Sequence, residues 1–230
     1  MQMLMIDTLH PYLVPLKKHF ESSADVENAA KMRSYLKDQF VFYGINATER
    51  RELMKEHSLH EGNPEIEEIP KIVQDAWELA HREYQYIALD LLMANIKKMP
   101  KDTIKLVEKC ITKKSWWDTV DMLATNCAGP LLKDDPELRE KINEKWISSK
   151  NMWLNRSALL FQIKYKKDTD QKMLFSNIDA MIEHDDFFIR KAIGWALREH
   201  AKAFPDEVQK FVKRTPELSE LSKREALRNI

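Results

Sequence analysis

The residues best suited to chemistry lie mid-chain, in Lys113-Lys114-Ser115-Trp116-Trp117-Asp118-Thr119-Val120-Asp121-Met122-Leu123. The apolar set Trp116, Val120 and Leu123 falls at helical spacing, with Ser115 as the expected helix start. Trp117 and Asp121 are four residues apart, so on a helix they stand one turn above each other on one face. A carboxylate can stabilise a nearby positive charge or orient water, and an indole face attracts a cation. Trp195, in Arg190-Lys191-Ala192-Ile193-Gly194-Trp195-Ala196-Leu197-Arg198, offers a second indole. Gly194 directly before it removes a side chain and leaves room for a partner to approach. The usual nucleophile-and-base patterns are missing: no Gly-x-Ser-x-Gly, His-Glu-x-x-His or Walker loop occurs, and the seven histidines are scattered.

The elements that must carry these residues are helices. Helical periodicity is expected over 8–20, 25–42, 48–57, 66–80, 82–98, 102–112, 115–128, 136–147, 151–166, 170–184, 187–203, 206–213 and 219–229. Breaks carry turn residues at Gly62-Asn63-Pro64, Met99-Pro100, Gly129-Pro130, Asp135-Pro136, Phe204-Pro205 and Thr215-Pro216. Asp102, Ser115 and Asp186 are the expected caps. Ala88-Leu89, Met122-Leu123, Ala158-Leu159, Ala192-Ile193 and Ala226-Leu227 recur at intervals of 34, 36, 34 and 34 residues. That period marks stacked helix pairs, closer to divergent HEAT-like units than to tetratricopeptides. The position before each pair reads Ile87, Asp121, Ser157, Lys191 and Glu225, which puts Asp121 on the inner surface of the curve. Arginines recur two residues before the last three pairs, as Arg156, Arg190 and Arg224. We therefore expect one all-α domain over 1–230, a HEAT-like solenoid with a concave groove.

Composition agrees with a folded helical protein: 32% of residues are charged, 43% are hydrophobic and only four are glycine. So few glycines argue against a sheet protein and against a glycine-rich nucleotide loop. Cys110 and Cys127 fit no metal spacing or disulfide framework, and a reducing cytoplasm is the expectation. No apolar run approaches membrane-spanning length, and Met1–Asp7 lacks the order of a signal peptide. Net charge is zero, yet residues 1–100 carry 12 basic and 16 acidic side chains against 25 and 21 in residues 101–230. A polyanion could bind only through a local basic surface.

Thr112 to Asp121 resembles the signature of the AlkD family of DNA alkylpurine glycosylases, built from HEAT-like repeats. Lys191 to Glu199 and Leu221-Ser222-Lys223-Arg224-Glu225-Ala226 agree in order, and the likeness runs from Tyr35 and Phe42-Tyr43-Gly44-Ile45 to the C-terminus. The resemblance implies excision of cationic N3- and N7-alkylated purines from duplex DNA, without base flipping and without a metal or other cofactor. It implies that Asp121 is the catalytic carboxylate, with Trp117 and Trp195 flanking the deoxyribose. It further implies that Tyr35, Asn46, Arg51, Lys113, Lys114, Arg156, Lys164, Phe187, Phe188 and Arg198 contact or shape the DNA. The expected state is a monomer in the cytoplasm, at the nucleoid, with no membrane association. The family often has Gln where Asn46 stands and Pro where Thr48 stands, departures that bear on the strand opposite the lesion.

Blander readings stand beside these. Trp116, Trp77, Trp146 and Trp153 are assigned to the core. Arg156 is assigned to phosphate, while Arg190 and Arg224 serve equally as braces between repeats. Lys113, Lys114, Lys164, Lys166 and Lys167 read equally as a solvated face, and Phe187-Phe188 as a helix-start packing contact. The functional rivals are a HEAT-like DNA-structure binder without excision activity and a protein–protein scaffold, which would bind without the steep salt dependence of phosphate contacts.

Overall fold

The apolar stripes expected from the sequence become helices throughout the computed structural model, which describes residues 9–228. The elements are α1 Val14–Ser22, α2 Val26–Tyr35, α3 Ala47–Glu61, α4 Ile69–Glu78, α5 Arg82–Asn95, α6 Ile104–Thr112 and α7 Trp117–Met122. They continue as α8 Gly129–Lys133, α9 Pro136–Ile147, α10 Met152–Leu160, α11 Gln171–Met181, α12 Phe187–Ala201, α13 Pro205–Arg214 and α14 Glu220–Ala226. Extended pairing among the described residues is limited to an isolated bridge between Val41 and His81. The start of the expected 8–20 helix and the end of the 219–229 helix lie outside the described residues. No helix among the described residues is long and apolar enough to cross a membrane.

The chain divides into two compact units, 1–99 and 100–230. In the first, α4 buries Ile69, Ile72, Val73, Ala76 and Trp77, one stripe at spacings of three and four. Its partner α5 is buried on several sides and includes the polar Arg82, Glu83 and Gln85. Buried polar groups need partners. Gln85 Nε2 donates to the Ala76 and Leu79 carbonyls at 2.8 and 3.0 Å, closing the end of α4. Glu83 Oε1 accepts from the Gly44 and Ile45 amides at 2.9 and 3.2 Å.

The second unit repeats this logic. All seven residues from Leu154 to Leu160 in α10 are buried. Asn155 Nδ2 donates to the carbonyls of Trp146, Ile147 and Ser149 at 2.9 to 3.1 Å, closing α9 as Gln85 closes α4. Asn143 and Asn177, 34 residues apart, exchange amide hydrogen bonds at 2.9 and 2.7 Å in the buried space between successive repeats. The core gathers Leu159, Leu160, Ile178, Ile189, Ile193, Leu197, Val208 and Phe211, with Trp195 packed against its edge.

Several boundaries depart from expectation. Helix α2 ends at Tyr35, short of residue 42, because Lys37 and Asp38 take left-handed backbone with φ of 58° and 59°. Asp186 caps α12 by accepting from the Phe188 amide, but Asp102 lies inside a short 3-10 turn, Lys101–Thr103. Ser115 caps nothing. Its hydroxyl donates to the Ile111 carbonyl at 2.6 Å and finishes α6, while α7 starts at Trp117. Gly129-Pro130 was expected to break the chain, yet the helix passes through it by widening into a π-helical stretch, Leu123–Ala128, before α8. Pro130 cannot donate to the carbonyl one turn back and its ring crowds that position, which a widened turn relieves. Gly129 permits the close approach that follows: a Cβ there would lie 2.6 Å from the Phe161 carbonyl oxygen.

Candidate functional site

Asp121 stands on the last turn of α7, immediately before the π-helical stretch, and Thr125 donates to its backbone carbonyl at 2.8 Å. Its carboxylate is gripped by Arg156 from α10. Nε donates to Oδ1 at 2.6 Å and Nη2 to Oδ2 at 2.7 Å, a two-pronged contact that fixes the plane of the acid. The Arg156 side chain is 1% exposed and that of Asp121 19%. A buried arginine thus holds an acid that still reaches solvent. The remaining arm of Arg156 donates to the Phe188 carbonyl at the start of α12. Its guanidinium carbon lies 5.3 Å from the Trp195 ring centre and 5.8 Å from that of Phe188. Through this one arginine, α7, α10 and α12 converge, and Asp121 and Trp195 are brought to the same cation. Trp117 precedes Asp121 by one turn on α7 and is half-buried.

Arg156, expected at phosphate, is buried to 1% exposure and bonded to the Asp121 carboxylate and the Phe188 carbonyl. The arginines recur with the repeat, but nothing local in the sequence signals that Arg156 pairs with an acid 35 residues before it.

The floor of the site is aromatic. Trp116, Trp153 and Phe188 form a triangle with ring centres 5.2 to 5.7 Å apart, and Phe187 extends it edge-on at 5.5 Å. Phe188 spends its ring inside this cluster, whereas Phe187 is 56% exposed. Of the tryptophans assigned to the core, Trp77 and Trp146 are buried and Trp116 and Trp153 half-buried.

Helix α14 braces α12 from behind. Glu225 accepts from Lys191 at 2.7 Å and Arg198 at 2.8 Å. The Lys191 ammonium beside it, reinforced by Arg198 and Arg228, holds the Glu225 carboxyl below its ordinary range against the opposing effect of burial. Lys191 lies 5.7 Å from the Trp195 ring centre, so the clasp ends on the site's second indole. The room left by Gly194 is used here: a Cβ would collide with the Glu225 Cβ and lie 3.0 Å from the Ser222 carbonyl. The partner that approaches Gly194 is the protein's own α14. Arg198, expected at DNA, is bonded to Glu225. The signal for this clasp was in the sequence, since Lys191 and Glu225 occupy the same repeat position with opposite charge.

The other expected contacts are dispersed. Lys164 lies near the site and donates to the Asn126 side-chain carbonyl on the π-helical stretch. Lys113 and Lys114 are partly buried in the turn before α7, where Lys114 has φ of 51°. In the first unit Tyr35 is 69% exposed and Arg51 exposed. Asn46 caps α3 by accepting from the Thr48 and Glu49 amides at 3.0 and 3.1 Å. Arg190 braces locally, donating to the His184 carbonyl and the Asp185 carboxylate, and Arg224 is exposed.

A helical-repeat protein with an arginine-held acid beside an indole is the class that this fold and site define. Residues 16–230 match the family model described as DNA alkylation repair enzyme, and the chain belongs to that family. Among solved structures it is similar to a protein of Enterococcus faecalis described as a predicted DNA alkylation repair enzyme. That likeness has 32% identity and a TM-score of 0.83, covering 90% of this chain and 96% of the other. It also resembles in fold the smu.31 protein of Streptococcus mutans UA159, at 22% identity and a TM-score of 0.57, covering 80% of this chain and 98% of that one. No curated protein matches the chain.

Proposed function

We propose that this protein is a monofunctional DNA glycosylase that hydrolyses the N-glycosidic bond of cationic N3- and N7-alkylated purines in duplex DNA. The observation that carries the reading is the Asp121 carboxylate, oriented by buried Arg156 and still open to solvent. An alkylpurine of this kind is already positively charged and leaves without protonation, so one carboxylate suffices where ordinary glycosidic cleavage uses two. The charge that develops is on the sugar, as an oxocarbenium ion. Asp121, fixed in plane before reaction, stabilises it without reorganising and directs water to it. Trp117 and Trp195 add faces that attract the sugar cation, each contributing about 0.5–2 kcal/mol. Asp121 acts on the sugar and basic side chains on the phosphates, so the base itself need not be rotated into a protein pocket. Bulky adducts are then accepted.

The experiment is release of 7-methylguanine from methylated duplex DNA by the wild type and by Asp121→Asn. Release by the wild type and loss of at least about 100-fold in the variant is the expected result. Equal release by both removes Asp121 from the mechanism. No release by the wild type, with DNA still bound, favours a structure-binding protein without excision activity.

A further inference from the structure

We infer that a lysine-lined cavity between the α10–α11 loop and the end of α12 is a second DNA contact, holding the phosphate backbone from about one nucleotide beyond the lesion. This rests on the glycosylase reading above. The cavity has a volume of about 860 Å³ and is lined by Lys133, Lys164, Lys166, Lys167 and Lys202, against the carboxylates of Asp168 and Glu199. Two of the five lysines are matched: Lys133 pairs with Asp168 at 2.8 Å and Lys202 with Glu199 at 2.7 Å. Among the described residues Lys164 meets only the neutral Asn126 amide, and Lys166 and Lys167 meet no carboxylate within 4.0 Å. Three positive charges around one concavity are left without a counter-charge, which suits a polyanion.

The loop that carries them is held from beneath. Tyr165, 4% exposed, donates its hydroxyl to the Gly129 carbonyl at 2.6 Å. Gln162, 3% exposed, accepts from the Asp170 amide at 2.9 Å and closes the loop's two ends on each other. Lys166 is kept at φ of 58°, left-handed backbone that a non-glycine residue rarely adopts. A merely solvated run of lysines requires none of this anchoring.

Position fixes the ligand. Lys164 bonds Asn126, which lies five residues beyond Asp121 along the same helix. At about 1.5 Å per residue the cavity begins roughly 8 Å from the acid along that axis, close to one nucleotide step of a strand. A duplex with its damaged sugar at Asp121 therefore brings flanking phosphates to these lysines.

The test compares the wild type with Lys166→Ala/Lys167→Ala and with Lys210→Ala/Lys213→Ala on α13, a control that removes equal charge elsewhere. Binding to a methylated duplex is titrated from low to high salt, and single-turnover release is measured at saturating enzyme. The cavity variant should lower the slope of log K against log salt by about 2 and weaken binding about tenfold or more, with release at saturation unchanged. The control should leave the slope as in the wild type. An unchanged slope in the cavity variant, or an equal loss in the control, overturns the inference while wild-type release still supports the glycosylase reading. Wild-type protein that releases nothing removes that reading, and with it the lesion-relative placement of the cavity.

Discussion

Replacing Arg156 with alanine separates the two roles an arginine at this place could have. As a positioning residue it holds Asp121 by two bonds, donates to the Phe188 carbonyl and stacks against Trp195, all at 1% exposure. Removing one partner of a buried ion pair costs about 3–5 kcal/mol, mainly because the other charge is left uncompensated. Asp121 retains 19% exposure and can regain water, so the low end, about 3 kcal/mol, is expected. For a chain of this length that lowers the melting midpoint by roughly 6–12 °C. Asp121→Asn keeps the side-chain shape and an acceptor for Arg156, so it should cost about 1–3 kcal/mol while abolishing release. In a double-mutant cycle of Arg156→Ala and Asp121→Ala by urea titration, the coupling energy should exceed about 2 kcal/mol. A phosphate-binding arginine gives the opposite pattern: stability within about 0.5 kcal/mol of wild type and a salt slope lower by about 0.9. That outcome would refute the positioning role.

Three further measurements probe the frame around the site. Gly194→Ala forces a methyl into the α12–α14 contact and should destabilise by about 1–3 kcal/mol, read from the urea midpoint. Glu225 has a folded value held below its ordinary 4.5, so its stabilising effect is complete above that pH and fades as pH falls through the lower folded value. The stability gap between wild type and Glu225→Gln should accordingly be widest near neutral pH and shrink below about pH 4.5. Burial pushes the Cys110 thiol up to about 12 and raises that of Cys127 as well, so neither should react with a disulfide probe at pH 8 until the protein is unfolded.

Helix content was legible because each apolar stripe repeats at three and four residues and most caps are local. Expected 136–147 coincides with α9, where Asp135 accepts from the Leu138 amide. Failures cluster where a distant group competes with a local rule. Ser115 is a good cap by type, yet it finishes the preceding helix because the Ile111 carbonyl is within reach. Gly129-Pro130 is a breaker by type, yet neighbouring helices hold the backbone in a wider winding. At the site, the one-turn spacing of Trp117 and Asp121 was legible, since both lie on one helix. The grip of Arg156 on Asp121 crosses 35 residues and depends on stacking between repeats. Only the repeat interval hinted at it, and an interval carries no information on which way a long side chain turns.

The wide turn after Asp121 has a consequence for how the acid is aimed. Each residue of an α-helix advances about 100° around its axis. A wide turn takes up about one residue more than an ordinary one, so rewinding the same six residues Leu123–Ala128 as α-helix would swivel Trp117 and Asp121 by about that angle relative to Gly129–Lys133. The carboxylate would then face away from α10 with every side chain of the chain still in place.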